Sequence, residues 1–374
     1  MKAARLNLLS EEKRLLWQLR TRGPMPRSEL ALSLQVSNSA LTKLSHNLIS
    51  LGLVEERDAL EAPTRGRPTI PLGISAQGGF AAGATVHKGV LEIALVDFSG
   101  EIIALVSEQV GTPGPVEFAA IVQGHLDVLS VRHRLLGQRF FGIGVGLPGS
   151  PRTRKGDSWH TVKELPGWNS VPLGQILGDT LGTAVLLEND ANAAALAEYY
   201  LSSAGRKAST VVVVLLGYGI GAGVIEDGRL VRGGFGGAGE IGMLYPGHLP
   251  RPSTLDLLSV LGEAGCPIDS VARFDELTAG FEAVVEAWLD RAAVQLEALV
   301  NSAIAWFDPE DIVFSSPLPA SVVRRLAARL NALPLCWTTE RPAGQIRISA
   351  LGGSAIALGA ALLPIHAATT LASF

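Results

Sequence analysis

The sequence predicts an α/β chain in two parts, an N-terminal winged helix-turn-helix over residues 1–77 and a duplicated α/β body with a cleft over 78–374. Three observations carry this. Two short helices with apolar stripes stand side by side between residues 27 and 52, followed by two strands around a basic tip. Charge is partitioned: residues 1–70 hold eleven Lys/Arg against seven Asp/Glu, net +4, whereas 71–374 hold twenty against twenty-eight, net −8. Finally, the strand-and-helix order met from residue 80 returns in kind from residue 184.

The first element expected is a helix from Ser10 to Arg22, with Leu15, Leu16 and Leu19 inward, Glu11, Lys13 and Arg20 outward, and Gly23-Pro24 ending it. A second helix puts Leu30, Ala31 and Leu34 on one face, and a third does the same with Val36, Ala40, Leu41, Leu44 and Leu48. Ser37 is placed to cap the third helix by accepting a first-turn amide. Ser37, Asn38 and Ser39 at its start, with Thr42, Lys43 and His46 on the opposite face, are small polar groups and a cation suited to a major groove. Gly52 stops that helix, Leu53 to Arg57 and Thr69 to Leu72 read as wing strands, and Arg65-Gly66-Arg67-Pro68 is the tip whose Arg65 and Arg67 would reach DNA. A plain helical bundle with a solvated polar face would show the same stripes. The cationic head on an acidic body favours the nucleic-acid reading, because Lys and Arg displace counterions condensed on phosphate.

With 374 residues, 47% of them hydrophobic, the chain can build more than one core. Its first residues lack the apolar segment of a signal peptide, and the most apolar run near the C-terminus, Ala355 to Ile365, is short for a bilayer span, so a cytoplasmic protein without a membrane partner is expected. Cys266 and Cys336 stand far apart, which supports neither a disulfide framework nor a cysteine-rich metal site.

In the body, Gly78-Gly79 reads as a hinge. Phe80 to Thr85, Gly89 to Asp97 and Glu101 to Gln109 follow as strands, Val116 to Leu129 as a helix, and Phe140 to Gly146 as a buried strand closed by Leu147-Pro148-Gly149. The second half repeats the order with a strand at Ala184 to Leu187, a helix from Asn192 to Leu201, and strands at Thr210 to Leu216 and Ala222 to Ile225. A long helix from Phe281 to Phe307 and strands at Ile312 to Phe314 and Ile346 to Ile348 complete it. Two such halves enclose a cleft, where ligands commonly bind.

Three stretches carry candidate chemistry. Gly217-Tyr218-Gly219-Ile220-Gly221-Ala222-Gly223 lets backbone amides approach a phosphate, although a tight hairpin also wants these glycines and is the simpler reading. Glu188-Asn189-Asp190 follows a strand and precedes an alanine-rich helix; Asp190 suits a helix cap, and the amide and acid together also suit hydroxyl recognition. The glycine-rich run from Gly233 to Gly242 offers one carboxylate, Glu240.

In this order and spacing the segments resemble the ROK family of repressors, open reading frames and sugar kinases. The matching stretches are Gly66-Arg67-Pro68, Gly142 to Gly149, Leu165-Pro166-Gly167-Trp168, Glu188-Asn189-Asp190-Ala191-Asn192, the turn at Gly217, Gly239-Glu240-Ile241-Gly242, Phe307-Asp308-Pro309 and Leu351-Gly352-Gly353. The resemblance implies an actin-like, ribonuclease H-like body. It also implies a homodimer, and it matches Asp190 to the kinases' catalytic base. Family regulators carry the DNA-binding head and family kinases lack it.

The departures matter too. Where the resemblance places the kinases' N-terminal acid, this chain has Thr85, and Tyr218 stands where their phosphate turn has Thr. Phosphoryl transfer rests on positioning and charge neutralisation, so their loss disables it. The family's zinc pattern is also missing, with Met243 in place of its His and no cysteine from Tyr245 to Leu258, so no zinc is expected there. Asp256 is the nearest match to the family's second sugar carboxylate. The expectation is a transcriptional repressor of carbohydrate genes, with no enzymatic activity and no cofactor. It would bind a pseudo-palindromic operator in double-stranded DNA and a sugar-type effector held by Asn189, Asp190, Glu240 and Asp256. The rival from another class is an ATP-dependent sugar kinase with an attached head, and a third reading is a dimerisation scaffold without ligand.

Overall fold

Leu15, Leu16 and Leu19 recur at helical spacing in α1 (Ser10–Arg22) and are buried, and Gly23, at φ 84°, ends the helix. The structure, a computed structural model, describes residues 1–4, 6–58, 70–152, 158–202, 208–246, 249–268, 271–337 and 346–371. A two-residue strand β1 (Met25–Pro26) leads into α2 (Arg27–Leu34) and α3 (Asn38–Ser50). The turn between the two helices is made by Gln35 in the left-handed region (φ 58°) and by Ser37, whose Oγ accepts from the Ala40 amide at 3.2 Å. β2 (Val54–Glu56) and β3 (Pro71–Ile74) complete an antiparallel sheet in the order β1-β3-β2. The returning strand starts two residues later than Thr69, because it is Leu72 and Ile74 that fill the core made by Leu30, Leu34, Leu41 and Leu48. The tip Arg65-Gly66-Arg67-Pro68 lies outside the described residues.

The body opens with β4 (Phe80–His87), β5 (Val90–Asp97) and β6 (Ile102–Gln109), then α4 (Pro115–Arg132), β7 (Phe140–Leu147), a small hairpin β8 (Gly149–Pro151) and β9 (Trp159–Thr161), α5 (Leu173–Leu181), β10 (Val185–Asn189) and α6 (Asp190–Leu201). The second half runs β11 (Thr210–Leu215), β12 (Gly221–Glu226), β13 (Arg229–Leu230), α7 (Thr254–Glu263), α8 (Phe274–Leu277), α9 (Glu282–Phe307), β14 (Asp311–Ser315), α10 (Ala320–Asn331), β15 (Ile346–Ile348) and α11 (Ala355–Thr369). The sheets run β6-β5-β4-β7-β10 and β13-β12-β11-β14-β15. In each, the first three strands of the half pair antiparallel and the last two join in parallel. The duplication expected from strand order therefore holds at the level of topology.

Each half ends in a helix that packs toward the other. α6 lies on β11 and β12, α11 lies on β4, β5 and β7, and the two helices pack on one another between the sheets. Close approach needs residues without side chains: a Cβ on Gly83 or Gly144 would fall 2.1 or 2.0 Å from a backbone oxygen of α11, and one on Gly359 would fall 1.7 Å from the Ala193 oxygen. The segment Gly352–Thr369 is long and apolar enough to cross a membrane, longer than the run Ala355 to Ile365 suggested, and it is mostly buried inside the body instead. His366 and Thr369 extend it because they too are buried, with the Thr369 hydroxyl donating to the Ile365 carbonyl at 2.7 Å.

Gly78-Gly79, expected as a hinge, is packed and clamped. A Cβ on Gly78 would meet the Phe98 ring at 2.5 Å, and Arg139 donates to the Gly78 carbonyl at 2.7 Å and to the Leu51 carbonyl at 3.1 Å. The head core continues into the body core through Phe98 and Phe141. Arg20, expected outward, is buried: its guanidinium donates to the Phe98 carbonyl at 2.9 Å and stacks 5.0 Å above the Phe98 ring, and burial lowers its pKa to about 10.

Candidate functional site

The cleft opens where several parallel strands end, at the edge where α/β sheets commonly hold ligands. It encloses about 380 Å3. Its walls come from His87 and Lys88 after β4, Pro148 and Gly149 after β7, Asn189 and Asp190 at the junction of β10 and α6, the turn Gly217–Gly221, and Gly239–Met243. The glycine turn is indeed a hairpin connection, since Leu215 pairs with Gly221, and it lines the cleft as well.

The structure brings Asn189, Asp190 and Glu240 together and leaves Asp256 out. Asn189 is the helix cap: its Oδ1 accepts from the Ala191 and Asn192 amides at 2.9 and 3.1 Å, and its Nδ2 donates to the Gly149 carbonyl at 2.8 Å. Capping thus occupies Asn189 and leaves Asp190 the freer group, with Oδ1 accepting from Ala191 at 2.8 Å and Oδ2 lying 3.7 Å from His87 Nε2. Burial pushes the Asp190 carboxyl up to about 7, the Ala191 amide works against that rise, and the charge of Glu240 adds to it. Glu240 itself is raised by burial. Behind them Glu188 anchors the strand end, its two oxygens taken by Asn189 N and Asn192 Nδ2 at 3.0 Å and by Arg232 at 2.6 and 3.1 Å.

Asp256 sits within the first turn of α7, where its Oδ2 accepts from Trp288 Nε1 at 2.6 Å and Arg291 Nη2 at 2.7 Å. It is a tie between α7 and α9 and does not line the cleft, its Oδ2 being shared by the Arg291 guanidinium and the Trp288 indole.

Thr85 is buried and donates to the Gly146 carbonyl at 2.9 Å, so its hydroxyl is spent inside the sheet. Tyr218 stacks on His87 from the opposite half, with ring centroids 6.4 Å apart and planes at 22°. Burial raises the Tyr218 phenol, and the charge of Glu92 pushes the same way; Glu92 is itself pushed up to about 7 by burial. Among the described residues no group of three His, Cys, Asp or Glu could hold a metal ion.

Sequence reasoning missed His87, Lys88 and Arg251 as cleft residues. His87 left only a weak signal, an imidazole at the last position of an apolar strand, and Arg251 left none, because the chain returns to the cleft there only after a loop.

On the head, Ser37, Asn38, Ser39, Thr42, Lys43 and His46 are all exposed. Beside them runs a groove lined by Arg27, Thr42, His46, Glu55 and Glu56. Its two acids are paired, Glu56 with Arg27 at 2.7 Å and Glu55 with Arg57 at 3.0 Å. Arg65 and Arg67 lie outside the described residues.

The ROK family profile matches residues 82–267. The uncharacterized protein y4fQ of Sinorhizobium fredii is 31% identical over 361 residues, covering 96% of this chain and 91% of that protein. The DNA-binding transcriptional repressor Mlc of Escherichia coli is 30% identical over 223 residues, 59% of this chain and 54% of the repressor. The glucokinase of Halalkalibacterium halodurans is 32% identical over 163 residues, 43% of this chain and 48% of the enzyme. Among solved structures, a ROK family transcriptional regulator homologous to the Escherichia coli protein superposes with a TM-score of 0.68 at 22% identity, covering 96% of each chain.

Proposed function

This chain belongs to the ROK family, and from that premise we propose that it is a DNA-binding transcriptional repressor whose cleft senses a sugar-type effector. In this reading residues 1–77 form a winged helix-turn-helix, with α3 as the recognition helix and Arg65 and Arg67 at the wing tip. Residues 78–374 form the sensing and dimerisation body. Repressors and kinases both occur among its relatives, the repressors covering 59% and 58% of this chain and the kinases 43% and 76%. The observation that carries the repressor reading is the course of α6. It starts at Asp190 in the cleft and reaches Tyr199-Tyr200 about 15 Å away. There the Tyr200 hydroxyl donates to the Gly228 carbonyl at 2.9 Å, and Gly228 packs against Trp17 and Thr21 of α1. One rigid element thus joins the cleft to the head, and a ligand that prefers one placement of α6 biases the placement of α3.

Binding selection from a pool of random duplexes with the full chain tests this directly. A homodimer is expected to enrich a pseudo-palindrome whose half-sites lie one helical turn or a multiple apart. Thr42→Ala and Lys43→Ala should each weaken binding to that duplex about tenfold, Lys43→Ala with a shallower salt dependence. Absence of any enriched sequence, or full binding by both variants, would overturn the reading. ADP release that depends on glucose and disappears in Asp190→Asn would favour the kinase.

A further inference from the structure

His87 closes β4 with its ring against the cleft. Its Nε2 is buried and, among the described residues, has no hydrogen-bond partner. An orphaned buried nitrogen costs free energy unless a ligand or water completes it. The nearest complementary group is Asp190 Oδ2 at 3.7 Å, too far for a hydrogen bond and near enough for one hydroxyl oxygen to reach both atoms at once. Tyr218 from the other half of the body lies over the ring, with centroids 6.4 Å apart.

We propose that His87 is a specificity-determining residue of the cleft, and that Nε2 of His87 and Oδ2 of Asp190 together clasp one hydroxyl of a neutral polyol. This rests on the reading of the cleft as a small-molecule site. A hydroxyl both donates and accepts, so it satisfies an imidazole and a carboxyl in either arrangement of their protons. A phosphate at this point would meet the carboxyls of Asp190 and Glu240. An ammonium only donates, so it would satisfy the pair in one arrangement alone, with His87 Nε2 unprotonated. A polyol missing that one hydroxyl leaves two buried groups unpaired, the situation in which polar sites discriminate most strongly. The His87–Tyr218 stack supplies a flat wall against which the carbon face of a ring can lie.

Calorimetry on the full chain with D-glucose, D-xylose, N-acetyl-D-glucosamine and myo-inositol, against glucose 6-phosphate and glucosamine, tests it. The expected result is that a neutral compound binds and that one of its monodeoxy analogues binds at least tenfold more weakly. His87→Ala should lose about tenfold in affinity for the parent compound and should no longer distinguish it from that analogue. His87→Gln, which can keep a donor near the position of Nε2, should restore most of the discrimination and guards against a mere folding defect. If His87→Ala binds and discriminates as the natural chain does while Asp190→Ala loses binding, the cleft reading stands and the role of His87 is overturned. If only the phosphorylated or cationic compound binds, the neutral-polyol assignment is overturned. If none of the six compounds binds, the cleft reading falls and this proposal with it.

Discussion

Asp190 and His87 face each other with their proton affinities moved in opposite senses, the carboxyl up from 3.8 to about 7 and the imidazole down from 6.5 to about 4, both chiefly by burial. The signs fix how each affects stability. Between about 4 and 7 the native state keeps a proton on Asp190 that the unfolded chain has released, so this group makes stability fall as pH rises. Between about 4 and 6.5 the unfolded chain binds a proton on His87 that the native state refuses, so that group makes stability rise over nearly the same window. In the natural chain the two slopes oppose. Asp190→Asn should therefore make the slope of the urea midpoint between pH 4.5 and 6.5 more positive, and His87→Gln should make it more negative. Profiles parallel to that of the natural chain in both variants would show that neither group is shifted.

At the scale of elements, the crossing of α6 and α11 decides whether the two halves form one body. Ala191 to Ala197 present no side chain larger than a methyl except Asn192 and Leu196, and α11 answers with Gly359 and its neighbouring alanines. A Cβ on Gly359 would lie 1.7 Å from a backbone oxygen, which cannot step aside as a flexible side chain can. Gly359→Ala is therefore expected to cost about 1–3 kcal/mol, even though alanine is the better helix former, and denaturant unfolding measures it. An unchanged or raised midpoint would mean that the helices shift apart freely. The same crossing puts Asp190 and His366 on neighbouring helices, so cleft and head junction share one rigid layer.

In the whole molecule, the head is docked rather than tethered. Arg20 of the head reaches the Phe98 carbonyl of the body, Arg139 of the body reaches the carbonyls of Gly78 in the connecting segment and Leu51 in the head, and Trp17 lies 5.6 Å beneath the Arg229 guanidinium and 5.9 Å from the His366 ring. Burial holds His366 down to about 3, so this junction stays uncharged on the imidazole side near neutral pH. Arg20→Met keeps the apolar stem and removes the bond to Phe98. Since a charged hydrogen bond contributes about 1.5–3 kcal/mol, amide exchange in α1 and in the turn after Phe98 should quicken about tenfold or more, with the cleft unaffected. Unaltered exchange in α1 would show that the docking does not depend on Arg20.

Much of this was legible without coordinates. Period-2 and period-3.6 patterns placed the strands from Phe80 to Gln109 and the helices at Ser10, Asn38 and Glu282 within a few residues, because local side-chain direction follows from backbone geometry alone. The repeat of strand order disclosed two halves with a cleft, and the acids at Asp190 and Glu240 fell in it. α5, α7 and α10 are not among the helices that the sequence predicts, and the apolar run at Ala355 is legible only as a stretch short for a membrane span. α11, buried on nearly all sides, has no polar face to mark its period, whereas α5, α7 and α10 each bury one face and expose the other. Tertiary structure alone decided three things: that Arg20 turns inward, that Gly78-Gly79 is clamped, and that Asp256 serves Arg291 and Trp288 while His87 serves the cleft. Each depends on which distant residue arrives as partner, and for a polar side chain the partner determines burial, protonation and role. That information belongs to the packing of α1, α9 and the glycine turn against segments far away in the chain, which no local pattern contains.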